Sequence, residues 1–219
     1  MLWFDLDNSP HAPLFRPILN ELIKRGEKYF VTARDFAQTK DLLDLYNIDY
    51  QLIGKHAGKK IMNKIFNLFT RSLELRKVVK NKKISLAISH GSRTQLLTAK
   101  QLGIKSLLML DYEYTETRIF NTLATNLLMP IYIPDERLEK AGFNLKKVIR
   151  YNGFKEELYL NDFKPQTDFR KSIGIEENQV LIVFRPPSLV SNYHNPKSEL
   201  LLKEALSYFT SFSNAICLV

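Results

Sequence analysis

Ile84-Ser85-Leu86-Ala87-Ile88-Ser89-His90-Gly91-Ser92-Arg93-Thr94 decides the fold. A short apolar run bounded by polar residues fits a strand buried on both faces. Gly91 allows a close backbone turn, and Ser92 or Thr94 can cap the helix that follows and ends near Gly103. The same order recurs on both sides of this segment. Upstream, Leu2-Trp3-Phe4-Asp5-Leu6 precedes polar Asp7-Asn8-Ser9 and a helix from about Pro13 to Arg25, which Gly26 stops. Tyr29-Phe30-Val31-Thr32 precedes a helix that Asp35 can cap and that runs to about Tyr46. A third strand falls near Tyr50 to Ile53, and a long helix covers about Ile61 to Lys80. Downstream, Ser106 to Leu110 is a strand and about 115–126 a helix. Ile131-Tyr132-Ile133 and Val148-Ile149-Arg150 read as further strands. Strands alternating with helices predict an α/β, Rossmann-like parallel sheet covered on both faces. Ligands of such sheets lie beyond the carboxyl ends of the strands, so the residues after each strand are the candidates.

The pattern changes at 151–178, where Gly153-Phe154-Lys155-Glu156-Glu157 and Asp162-Phe163-Lys164-Pro165 read as a linker with helical pieces. Val180 to Phe184 is then a strand broken by Pro186-Pro187, about Lys197 to Ser211 a helix, and Ala215 to Val219 a strand. The expected organisation is a domain over 1–152, a linker over 153–178 and the start of an incomplete second domain over 179–219. One βαβ unit of that size cannot bury both faces of its sheet, so a longer two-domain protein, truncated here, is expected.

The 219 residues carry 32 Lys and Arg against 23 Asp and Glu, a net charge of +9. That excess favours an anionic partner. A single cysteine, Cys217, excludes an internal disulfide and fits a reducing cytoplasm. No apolar run approaches a membrane span, and acidic Asp5 and Asp7 interrupt the first apolar stretch, so no signal peptide is expected. Between Lys55 and Lys83 lie ten Lys or Arg and one acid, Glu74, with Ile61, Met62, Ile65, Phe66, Leu68, Phe69 and Leu73 among them. Such a helix can touch an anionic membrane at its inner face, although the apolar stripe is expected to face the sheet. Aromatic residues do not interleave with the charges as nucleic-acid stacking would need. Walker A, G-x-G-x-x-G, G-x-S-x-G and zinc-type spacings are absent from the sequence.

Four clusters could carry chemistry. Asp7, Asn8, Ser9 and His11 follow the first strand and could bind a sugar or exchange a proton, or simply form a capped turn. His90, Gly91, Ser92 and Arg93 open a helix whose N-terminus attracts anions. Asp111 and Glu113, with Glu116, follow the next strand and could act as acid or base, or bind hydroxyls. Arg185 and His194 flank Pro186-Pro187, where a guanidinium and an imidazole could meet a phosphate.

Asp5-Leu6-Asp7-Asn8-Ser9-Pro10-His11, Thr32 to Thr39, Ser89-His90-Gly91-Ser92-Arg93, Gly153 to Leu160 and Arg185-Pro186-Pro187 together resemble the domain-of-unknown-function 354 family, whose members are described as predicted glycosyltransferases. That family is similar to GT-B glycosyltransferases and to the non-hydrolysing UDP-N-acetylglucosamine 2-epimerases. The resemblance implies two Rossmann-like domains facing a cleft, with the donor nucleotide mainly on the second. It also implies a nucleotide-sugar donor as substrate, no metal and no permanently bound cofactor. Asp7, His11 and Glu113 become candidate acceptor bases, and Arg93, Arg185 and His194 candidate phosphate or donor contacts. The epimerases place a catalytic Asp after the His-Gly pair, where Ser92 stands here. A transferase is the leading expectation. A nucleotide-sugar epimerase or hydrolase, and a non-catalytic basic module for anionic membrane or nucleic acid, remain the alternatives.

Overall fold

The computed structural model describes residues 1–55, 61–161, 163–187 and 194–219, except the side chains of residues 61 and 63–65. Contacts divide the chain into two compact units, Met1–Asp162 and Phe163–Val219.

The first unit is built on seven strands: β1 (Leu2–Leu6), β2 (Tyr29–Asp35), β3 (Gln51–Lys55), β4 (Leu86–His90), β5 (Ser106–Met109), β6 (Asn126–Pro130) and β7 (Val148–Tyr151). All pair in parallel, in the order β3-β2-β1-β4-β5-β6-β7. The intervening helices are α1 (His11–Lys24), α2 (Thr39–Leu45), α3 (Ile61–Val79), α4 (Arg93–Gln101), α5 (Thr117–Leu123) and α6 (Asp135–Lys140), with α7 (Glu157–Leu160) closing the unit. The strand order reverses direction between β1 and β4. The crevice of a doubly wound sheet opens there, at the carboxyl ends of those two strands.

Alternation along β1 sets the two faces. Phe4 and Leu6 pack with Phe15, Leu19, Val31 and Leu43, beneath α1 and α2. Trp3 points the other way, onto Leu75, Val79, Ala87 and Ala99, beneath α3 and α4. A third apolar cluster, with Leu96, Leu108, Phe120, Leu127, Met129 and Leu138, sits under α5 and α6. Asp5 shares the face of Trp3 and is fully buried, so its charge must find a partner inside. Arg71 of α3 supplies it. Its Nη1 donates to Asp5 Oδ2 at 2.8 Å and its Nη2 to Oδ1 at 2.7 Å. Its Nε donates to the Ile53 carbonyl at 2.9 Å.

Four expectations change. Asp35 ends β2 and caps nothing; Gln38 stands at the start of α2 without a side-chain cap. The strand read at 131–133 lies at Asn126–Pro130, and α5 stops at Leu123, because Leu127 to Met129 supply the buried run beside β5. Helix α1 begins at His11, ahead of Pro13, so that His11 lies in its first turn. The described residues of the apolar stripe of α3 do not face the sheet, half-buried Leu68 excepted. The buried face is Arg71, Ser72, Leu75 and Val79, whereas Met62, Phe66, Phe69 and Leu73 are exposed. The basic loop at 56–60 lies outside the described residues.

The second unit holds α8 (Phe169–Ser172), β8 (Val180–Val183), α9 (Pro196–Thr210) and β9 (Ala215–Leu218). β8 and β9 pair in parallel, Val180 opposite Ala215. No residue of α9 is buried, and Leu200, Leu201, Val183 and Leu218 are exposed, as a two-stranded sheet with one helix leaves them. Among the described residues, no helix is long and apolar enough to cross a membrane.

Candidate functional site

The ends of β1, β4 and β5 bring together residues far apart in the chain. The turn after β1 is held by its own backbone: the Asn8 carbonyl accepts from His11 N–H at 3.0 Å, and Asn8 Oδ1 accepts from Ser9 N–H at 2.9 Å. Ser9 Oγ accepts from the Gln38 amide at 3.0 Å, tying this turn to the one after β2. The turn places buried His11 beside Asp7: Nδ1 accepts from the Asp7 backbone N–H at 3.3 Å and lies 3.2 Å from Asp7 Oδ1. A neutral ring with its proton on Nδ1 would give up the bond from the Asp7 N–H for one to the carboxylate and leave Nε2 a lone pair. Burial pushes the His11 imidazole down to about 4, against the pull of Asp7, so the ring is neutral at neutral pH.

His90, at the end of β4, stacks obliquely on His11 with ring centroids 5.2 Å apart. His90 Nε2 stands 3.5 Å from Asp111 Oδ1, and Asp111 Oδ2 meets Lys155 Nζ. Burial works to raise the Asp111 carboxyl, but His90 and Lys155 outweigh it and hold the group well below the usual carboxylate range. Arg34, at the end of β2, reaches to 3.9 Å from Asp7 Oδ2. In the described protein, Arg34 Nε and Ser89 Oγ are buried without a close partner, as is Gln95 Oε1 on α4; Arg93 Nε has only an ion pair with Glu116, and His90 Nε2 and Asp111 Oδ1 have only each other at 3.5 Å. Loosely met polar groups at the ends of strands are candidates for meeting a ligand.

Gly91 takes φ +76°, and a Cβ there would meet nothing within 4 Å, so glycine serves the turn rather than relieving a clash. Ser92 is fully buried. Its hydroxyl donates to Asp5 Oδ2 at 2.5 Å and accepts from the Gln95 amide at 3.3 Å as the N-cap of α4. It therefore joins the interior network of Asp5, Arg71 and Thr32, whose hydroxyl donates to Asp5 Oδ1 at 2.6 Å. Burial raises the Asp5 carboxyl and Arg71 overrides it, leaving the group lowered. Arg93 Nε lies 3.0 Å from Glu116 Oε2 on a half-exposed surface. Glu113 is buried, 3.5 Å from Arg137 Nη1. In the second unit, Arg185 is exposed after β8, and His194 Nε2 lies 2.9 Å from Glu199 Oε1 at the start of α9.

The structure thus gathers Asp7, His11, His90 and Asp111, and gives Ser92, Arg93 and Glu113 partners of their own. Sequence reasoning missed Lys155 and Arg34 as members. The rule that ligands gather after strand ends would have reached both, since Arg34 lies in the last two residues of β2 and Lys155 follows β7. No group of three or more His, Cys, Asp or Glu suited to a metal ion occurs among the described residues.

The cluster can take a proton at His11, accept hydroxyl hydrogens at two carboxylates and offer cationic Lys155 and Arg34 to an anion. The fold agrees with solved structures of low sequence identity. The UDP-GlcNAc 2-epimerase of Methanocaldococcus jannaschii superposes with a TM-score of 0.67 at 14% identity, over 99% of this chain and 72% of that one. MnaA of S. aureus, solved with UDP, gives 0.69 at 14%, over 99% and 61%. The UDP-GlcNAc 2-epimerase of Neisseria meningitidis, bound to UDP-GlcNAc, gives 0.61 at 16%, over 99% and 71%. An uncharacterised protein of M. jannaschii is 28% identical over 210 residues, which are 92% of this chain and 60% of that protein. The chain thus spans about three fifths of the length of that relative. A family model described as "protein of unknown function (DUF354)" matches residues 1–218, and the chain belongs to that family.

Proposed function

We propose that the protein is a glycosyltransferase using a nucleotide-sugar donor, with the first unit presenting the acceptor side. The observation that carries this reading is the Asp7–His11 pair beside His90, Asp111 and Lys155 at the switch point of the sheet. His11 Nε2 takes the proton of an acceptor hydroxyl, and Asp7 steadies the imidazolium that forms. The freed oxygen attacks the anomeric carbon as its bond to the diphosphate breaks, and the nucleoside diphosphate leaves with that electron pair. Asp111 and His90 hydrogen-bond sugar hydroxyls. Arg93 of the first unit is a proposed contact for the donor phosphates, where developing charge gains most from cations, and within the second unit Arg185 and His194 are candidates of their own. The donor is a substrate, and no resident cofactor is required. A uridine diphosphate sugar is the preferred donor class, because structures of similar fold were solved with UDP and UDP-GlcNAc.

Ser92 weighs against epimerase chemistry. It occupies the position where the epimerase resemblance implies an Asp, and its hydroxyl is spent on Asp5 and on capping α4. The test is titration of the full-length protein with UDP and UDP-GlcNAc, then donor turnover followed by NMR. Binding is expected, with free UDP appearing only when an acceptor is present. His11→Ala should lower turnover about 100-fold or more, the usual worth of a positioned base. Failure to bind any nucleotide or nucleotide sugar would end this reading, and a 2-epimer formed from donor alone would replace it.

A further inference from the structure

The outer face of α3 carries an exposed apolar stripe that the fold of the first unit does not use. Met62 is 78% exposed, Phe66 71%, Phe69 54% and Leu73 52%. These positions, at intervals of four, three and four, lie on one line along the helix. Arg76, Lys77 and Lys80 continue the same line and are exposed. Leu75, Val79, Arg71 and Ser72 are buried on the opposite side, which fixes the direction of the stripe. Large side chains are placed outward here although the helix has an interior face to fill.

We infer that this face of α3 docks onto an anionic lipid surface, with Met62, Phe66, Phe69 and Leu73 entering the headgroup boundary and Arg76, Lys77 and Lys80 meeting the headgroups. Charge decides among occupants. Glu74 is the single acid between residues 55 and 83, against ten basic residues. A second copy packed on the stripe would bring two strongly basic faces together, with one acid per chain to relieve them. Nucleic acid would satisfy the cations but leave four large apolar side chains facing phosphates. A membrane with anionic headgroups satisfies both halves of the stripe, through apolar burial and electrostatic attraction together. The inner face of the same helix sends Arg71 to Asp5 at the end of β1, so docking would set the crevice at a fixed place relative to the bilayer.

The test is flotation of the full-length protein with vesicles of phosphatidylcholine and phosphatidylglycerol in equal parts, against phosphatidylcholine alone, beside its mass by analytical ultracentrifugation. Binding to the mixed vesicles is expected, weakening with salt. Lys77→Gln with Lys80→Gln should lower partitioning about 30-fold, at about a factor of five per basic residue. Phe66→Ser with Phe69→Ser should lower it by about tenfold or more. All four residues are exposed, so the melting temperature should hold, and the lysine pair decides if the phenylalanine pair fails to fold. Partitioning onto phosphatidylcholine equal to that on the mixture, no flotation at all, or flotation untouched by both pairs would overturn the inference. So would an oligomer that the phenylalanine pair dissolves, or RNA binding without vesicle binding, which would give the face to a second copy or to nucleic acid.

Discussion

Two groups of acids and bases lie side by side at the end of β1 and β4, and they are built to opposite standards. In the interior group, Asp5 accepts from both Arg71 nitrogens, from Ser92 and from Thr32, while Thr32 accepts from Trp3 Nε1 at 2.9 Å. In the crevice group, His90 Nε2 and Asp111 Oδ1 meet only loosely, 3.5 Å apart. The first group is closed and buried, and its removal should read out as stability. The second is open, with polar atoms unspent, and its removal should read out as binding and turnover. A carboxylate paired with a cation is therefore no sign of a site by itself; unmet hydrogen bonds at an accessible strand end are the better one.

The sharpest way to break this distinction is Arg71→Met. It leaves Asp5 buried without its partner and should cost about 3–5 kcal/mol. Adding Asp5→Leu should restore much of that loss, because replacing a buried pair is cheaper than halving it. Urea midpoints of the two variants measure this, and a single-variant loss below about 1 kcal/mol would mean the pair is not closed.

A pH titration separates the groups next. The folded protein holds His11 at about 4, below its ordinary 6.5. Between those values the unfolded chain takes up a proton that the folded one refuses, so stability falls as pH drops from about 6.5 to 4, by up to about 3 kcal/mol. Above 6.5 His11 contributes no slope. Asp5 and Asp111, both lowered in the fold, lose their contribution only as pH falls further, below the ordinary carboxylate range. His11→Leu should therefore flatten the curve between pH 4 and 6.5 and leave the acid limb in place. An unchanged slope would show that the imidazole is protonated in the fold.

Ser92→Ala is expected to cost about 1–2 kcal/mol, since it removes both a helix cap and one hydrogen bond to a buried carboxylate. Ser92→Asp should cost more, because it sets a second carboxylate against Asp5. A thermally neutral Ser92→Asp would reopen the epimerase alternative at this position.

Much of the first unit was legible because its strands are short apolar runs ending in polar residues. Leu2–Leu6 and Leu86–His90 announced themselves, and the polar residues after them located the crevice. Asn126–Pro130 was missed because Leu127 to Met129 follow an amphipathic stretch without a glycine or proline between, so helix and strand could not be told apart by period. The stripe on α3 was misdirected for a different reason. Helical spacing shows that apolar residues share a face, but the sheet chose the face bearing Arg71, Ser72, Leu75 and Val79, since only that one answers Asp5. Side-chain pairing across 66 residues leaves no periodic trace. Lys155 joined the site for the same reason, as Asp111 lies 44 residues before it.

The smallest expected effect concerns Arg93. It follows Ser92 directly, yet its guanidinium points to Glu116 on a surface where both side chains are about two fifths exposed. Solvent screens such a pair, so Arg93→Ala and Glu116→Gln in a double-mutant cycle should show a coupling of no more than about 1 kcal/mol. Ser92, one residue earlier, thereby marks the edge of the closed group. If Arg93 contacts donor phosphate, Arg93→Ala raises KM for the nucleotide sugar about tenfold while the melting temperature stays, because a charge-assisted hydrogen bond to a ligand is worth more than its exposed ion pair. Glu116→Gln then leaves that KM unchanged or lowers it, as the guanidinium is freed for the phosphate. A KM indifferent to Arg93 would confine the functional surface to the crevice of Asp7, His11, His90, Asp111 and Lys155, and a large coupling with Glu116 would move Arg93 into the closed group.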